Sequence, residues 1–207
     1  MAGVAAAEAE GKQVAQPAPV PRPYPPSLVN LIVERIRRST LPAWAIYVAL
    51  AAFLVALELT VKWLDGTFPA QFQLIHVMLP VYAMVILPAF HYMGDVAARA
   101  LAETRPLLAV DDAGYRTLHY RLTTLPAGRT LVAGACGLLT LLFLMVVRPD
   151  DTDARLAIMT SPLAMVVEWG LQFLVWTGVG IVAYHILHQM LIVNEIYTRH
   201  TRISLFT

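Results

Sequence analysis

The sequence predicts an all-α integral membrane bundle of four transmembrane helices with an interfacial amphipathic helix. Hydrophobic residues make up 58% of the chain and charged residues 14%, with a mean hydropathy of +0.62, which lies outside the ordinary soluble range. Four apolar stretches, at about 42–64, 72–93, 130–147 and 163–191, approach or exceed the ~20 residues a helix needs to cross ~30 Å of hydrocarbon. The arginines fall in blocks between these stretches, so the net charge of +1 conceals a strong asymmetry.

Residues 1–27 read as a disordered, proline-rich cytoplasmic tail. The stretch carries Glu8 and Glu10 and has no charged leader before an apolar core, which is not the pattern of a secretory signal peptide. Six prolines in the ten residues Pro17 to Pro26 favour extended polyproline II structure. The helical membrane domain is expected over 28–207. It opens with Leu28, Leu31, Ile32 and Ile36 at helical spacing, followed by Arg37 and Arg38, a pattern suited to the membrane surface. Pro42 then sits at the first turn of the first span, where a missing amide costs little. Pro80 and Pro88 lie inside the second span, where neighbouring helices must satisfy the carbonyls they free.

Between the second and third spans, "VDDAGYRTLHYRLTTLP" predicts an interfacial helix over about 112–125, with Asp111 or Asp112 near its N-cap and Pro126 just past its end. Tyr115, Leu118, Leu122 and Leu125 fall within about 80° of one another at 100° per residue, a stripe that fits the inner leaflet or a soluble partner. The third span carries Ala133, Gly137 and Thr140 at close-packing spacing, and the fourth carries Gly170, Gly178 and Gly180. The fourth has no Gly or Pro stop after Gly180, so its helix is expected to run on past the membrane. Cys136 is the only cysteine, which excludes a disulfide framework and any cysteine-based metal site.

Twelve of the fifteen Lys and Arg residues fall in the N-terminal region, the middle loop and the C-terminal end. Short positive loops stay in the cytoplasm, so both termini are expected there, with the protein in the cell (inner) membrane. Polar side chains inside the spans form two layers. Glu58, His76, Glu168 and Gln172 lie near the outer surface, with Lys62 one turn from Glu58, and His91, His185, His188 and Gln189 lie near the inner one. Ionisable groups at membrane depth are functional candidates by default. Glu168 and His76 are either a proton- or ligand-sensing pair or polar contacts that snorkel to water. His91 with His185 or His188 meets the minimal condition for a bis-histidine haem, one imidazole from each of two helices. A metal site would want three or four protein ligands, and the expectation is no cofactor, with "YHILHQ" marking the headgroup level.

Two stretches, "YRTLHYRLTTLPAGRTLVAG" from Tyr115 to Gly134 and "HQMLIVNEIYTRHTRISLF" from His188 to Phe206, resemble an uncharacterised family of prokaryotic multi-pass helical membrane proteins. The resemblance implies an inner-membrane helical protein and brings no activity and no catalytic residue with it. In the proteins it resembles, the chain continues beyond the basic segment, whereas here it stops at Thr207.

The sequence leaves three functions open. One is a non-enzymatic membrane module for sensing, anchoring or assembly, with the bilayer and a protein partner or second copy as its contacts. Another is a transporter or channel component working as an oligomer. The third is a haem-binding or other membrane enzyme, although the sequence has no nucleophile elbow and no H-E-x-x-H spacing. Nucleic acid is excluded as a partner by the lack of a basic domain.

The charge distribution makes the topology measurable. Reporter fusions at Gly128 and Asp151 should be active inside and outside the cell, respectively, and the opposite pattern would reverse the orientation.

Overall fold

The computed structural model describes residues 23–66, 74–148 and 161–200. Helix α1 (Leu28–Arg37) is followed by α2 (Ala43–Leu64), α3 (Ile75–Thr104), a 3-10 turn (Arg105–Leu107), α4 (Asp112–Thr123), α5 (Ala127–Val147) and α6 (Pro162–Arg199). α2, α3, α5 and α6 are each long and apolar enough to cross a membrane, so the chain is an all-α, multi-pass membrane bundle. α1, α4 and the last turns of α6 gather at one end, called here the near end.

Local chemistry sets the helix starts. Ser27 Oγ accepts from Asn30 N–H at 3.3 Å, Asp111 Oδ1 from Gly114 N–H at 2.8 Å and Ser161 Oγ from Ala164 N–H at 3.2 Å, each meeting a donor that the helix itself leaves open. Pro42 and Pro126 occupy the N-cap positions of α2 and α5. Pro126 thereby ends one helix and begins the next, and α5 starts at Ala127 rather than 130. The charge on Arg129 disguises the first turn of this span.

Two spans overrun their apolar stretches. α3 continues past 93 through Asp95, Arg99 and Glu103 to Thr104, because charged residues beyond the hydrocarbon do not break a helix. Residues 72–73, the expected start of this span, lie outside the described residues. α6 is 38 residues long, or ~57 Å at 1.5 Å per residue, against ~30 Å of hydrocarbon.

The overrun corrects the expectation for α4. Its stripe packs on protein rather than on the leaflet, with Leu118 and Leu122 buried against Leu101, Leu108, Ile192 and Ile196. The extended ends of α3 and α6 supply an apolar protein surface where a lipid surface was expected. α1 keeps an exposed apolar edge of Leu28, Leu31 and Ile32 while burying Val33 and Ile36.

Of the tail expected over 1–27, residues 1–22 lie outside the described residues and Tyr24 to Ser27 are held against the rest of the chain. Ser27 N–H donates to Leu125 C=O at 2.9 Å, and Ala127 N–H to Pro25 C=O at 3.2 Å. Asn30 Nδ2 donates to Thr123 C=O at 3.1 Å, and its Oδ1 accepts from Leu125 N–H at 2.9 Å. The described part of the proline-rich chain lies against the α4–α5 link.

Inside the hydrocarbon, α5 and α6 meet through glycine. A Cβ on Gly137 would strike the Trp176 carbonyl, and one on Gly180 would strike the Ala133 carbonyl. Neither obstacle is a movable side chain. The α5 contact runs through Ala133, Gly134, Gly137 and Leu141, whereas Thr140 is exposed and donates to its own helix at Cys136 C=O, 2.9 Å away. Gly170 meets nothing within 4 Å, so only part of the glycine pattern is interface.

Gly137→Leu and Gly180→Leu should each cost about 3 kcal/mol in unfolding from detergent, the upper end of ordinary overpacking. Gly170→Leu should cost far less. Equal stability of the Gly137 and Gly170 variants would show that the two helices do not meet here.

Candidate functional site

The four spans bring polar side chains together at two levels. At the far end, Lys62 Nζ of α2 lies 3.3 Å from Glu58 Oε1 on its own helix and 3.1 Å from Glu168 Oε2 on α6. All three side chains are at least nine-tenths buried. Lys62 donates a hydrogen bond to Glu168. Its contact with Glu58 is Coulombic, since Glu58 Oε1 accepts no hydrogen bond from the described structure. Removing ions from water costs several kcal/mol each after relaxation, which only close opposite charge and hydrogen bonding offset. The ion cluster therefore fixes the rotation of α2 against α6.

Near the other end, three histidines point to different partners. His91 accepts from Arg37 Nε at 3.0 Å, lies 2.9 Å from the Tyr47 hydroxyl and faces Asp95 at 3.4 Å. Arg37 also pairs with Asp95, so this group ties α1 and α2 to α3. His188 Nε2 lies 3.0 Å from the Arg121 carbonyl, and its ring stacks on Tyr184 at 5.6 Å. His185 is 1% exposed and packs on Phe90 at 4.8 Å. Neither of its ring nitrogens has a hydrogen-bond partner in the described structure, and each such buried group costs about 1–3 kcal/mol.

Arg121 of α4 completes this level with a bidentate bridge to Glu195 of α6, at 3.0 and 2.7 Å. Donating to the Glu195 carboxylate raises the guanidinium further above its ordinary value, so Arg121 is a permanent cation. With both side chains about 30% exposed, the bridge contributes about 1 kcal/mol. Tyr24 donates to Thr124 C=O at 2.8 Å, and its carbonyl accepts from the Tyr120 hydroxyl, also at 2.8 Å. Burial pushes the Tyr24 phenol up to about 12, which keeps it a protonated donor.

Of the sequence candidates, Glu58 and Glu168 converge on Lys62, and Glu168 is met by that cation rather than by water. Gln172 is half-buried, one turn along α6. The side chain of His76 lies outside the described residues. His91 is engaged with α1 and α2, while His185 and His188 are buried against other helices of the bundle. Among the described residues no group of three or more His, Cys, Asp or Glu side chains is placed to hold a metal ion.

The interhelical partners Arg121, Glu195, Asn30, Tyr24 and Tyr120 went unrecognised in the sequence. Only Asn30 offered a local signal, three residues after the capping Ser27. Comparison with known proteins adds no identity: no family model, curated protein or solved structure matches this chain.

The far-end cluster makes a prediction about charge rather than size. Lys62→Met strands two buried carboxyl groups and should destabilise the protein in detergent by about 3–5 kcal/mol. Adding Glu58→Gln and Glu168→Gln should restore much of that loss. A triple variant no more stable than Lys62→Met alone would mean that the lysine acts through packing.

Proposed function

We propose that this protein is a non-enzymatic module of the cell (inner) membrane, with both termini cytoplasmic, in which α6 couples the far-end ion cluster to the cytoplasmic helix α4. The observation that carries this reading is the continuity of α6. Glu168 is bonded to Lys62 near one end of the helix and Glu195 to Arg121 near the other. Glu195 lies 27 residues beyond Glu168, ~40 Å at the helical rise. An uninterrupted helix transmits a shift or rotation at one end to the other, whereas a loop would absorb it.

The charge distribution supports the orientation. The arginine-rich segments around α1, around α4 and at the end of α6 share one side, and the two remaining connections carry Asp65, Asp150, Asp151 and Asp153. Sensing, anchoring and assembly all use such a device, in which a change among the helices alters what the cytoplasmic end presents. The buried ion cluster also suits a transporter subunit, and uptake of a tracer cation into liposomes carrying the purified protein would favour that role instead.

Coupling is measurable without knowing the signal. Glu168→Gln should change hydrogen-exchange protection of the α4 amides by about twofold to thirtyfold relative to those of α5, the range given by 0.5–2 kcal/mol of coupling. If α4 exchanges as in the parent protein while the contacts around Lys62 are altered, α6 does not carry the change and the reading fails.

A further inference from the structure

A cavity of about 560 Å³ opens at the near end between α1, α3 and α4, with His185 of α6 in its wall. Its inner part is built by Val33, Phe90 and His185, and its rim carries Glu34, Arg37, Arg38 and Arg116. Most of these charges are already matched. Arg38 bonds Glu34 at 2.9 Å, and Arg37 is bound to Asp95. Arg116 is exposed and has no ion pair among the described residues. The rim thus holds an excess of one positive charge over a cavity of ligand-binding size.

We propose that this cavity binds a phosphodiester-bearing monoanion, with the phosphate at Arg116 and an uncharged polar part of the ligand hydrogen-bonded to His185. A phosphodiester carries the single negative charge that the rim leaves unmatched, and guanidinium matches its paired oxygens geometrically. The His185 imidazole supplies one donor and one acceptor, neither of which is used by the described protein. A ligand hydroxyl fits the one ring nitrogen it can reach, whichever tautomer is present, because it both donates and accepts.

Two sources share this chemistry. The headgroup of an acidic phospholipid carries it at the membrane surface, where Leu28, Leu31 and Ile32 of α1 form an exposed apolar edge for acyl chains. A water-soluble glycerophosphodiester carries the same group without chains. The proposal is independent of whether α6 couples the two ends of the bundle.

The test is native mass spectrometry of the full chain in detergent with dioleoyl phosphatidylglycerol, dioleoyl phosphatidylcholine or glycerophosphoglycerol. The expected result is retention of phosphatidylglycerol over phosphatidylcholine, weakened about tenfold by Arg116→Gln, the loss expected for one charge-assisted contact. His185→Phe preserves the ring packing on Phe90 and should weaken binding as well. Glycerophosphoglycerol displacing the lipid at equal concentration would identify the soluble source, and failure to displace it would identify the membrane lipid.

Equal retention of the zwitterionic lipid, or unchanged phosphatidylglycerol binding in Arg116→Gln, would overturn the proposal. Arg116 is exposed, so its variant decides the matter even if His185→Phe does not fold.

Discussion

Helices in hydrocarbon gain almost nothing by turning leucines toward one another, because lipid chains are as apolar as the side chains they would replace. This constraint governs the whole bundle. Trp44, Phe53, Leu131, Val146 and Val166 remain more than half exposed, a pattern that would be untenable in water. Much of what the spans bury is small or charged: Gly134, Gly137, Gly178, Glu58, Lys62 and Glu168. Backbone approach at Gly137 and Gly180 supplies dispersion contacts that bulky residues would prevent. The Lys62 cluster supplies charge pairing that lipid cannot offer. Together they set the spacing of α5 and α6 and the rotation of α2.

Beyond the hydrocarbon, the ordinary hydrophobic effect returns, and the same helix changes its means of packing. The end of α6 buries Ile192 and Ile196 with Leu101, Leu108, Leu118 and Leu122, where removing apolar area from water is worth roughly 25 cal/mol per Å². Leu125 is fully buried in the link between α4 and α5. The link's backbone groups are met by Asn30, Ser27 and Tyr24 from the segment around the start of α1. A short connection that is buried must find such partners, and the proline-rich segment supplies carbonyls while offering few amides of its own.

Much of this architecture was legible in the sequence because membrane spans announce themselves by length and because Pro126 and Asp111 act locally. The continuation of α6 past its span was expected from the lack of a stop after Gly180, and the boundaries missed at α3 and α5 share one cause. Hydropathy marks where hydrocarbon ends, whereas helices end only where capping or backbone geometry stops them. The α4 stripe was visible but its partner was not, since periodicity shows that a face is apolar without showing what covers it. Lys62 to Glu58 is a local i,i+4 relation and could be read directly. Lys62 to Glu168 and Arg121 to Glu195 depend on how two helices are rotated in space, and no spacing in one chain reports that.

The two histidines a turn apart in α6 show how little a residue type decides without such rotation. His185 and His188 lie on neighbouring parts of one face, separated by about 60° at 100° per residue, yet that small angle directs them to different helices. His188 reaches the carbonyl of Arg121 on α4, so its ring serves the same contact as the Arg121 bridge to Glu195. His185 meets Phe90 of α3, and the aromatic face offers its nitrogens no hydrogen bond. A phenylalanine or leucine would pack there without an unmet polar group. A histidine at this position weakens the bundle unless something else engages it, and the cavity beside it is where its chemistry points.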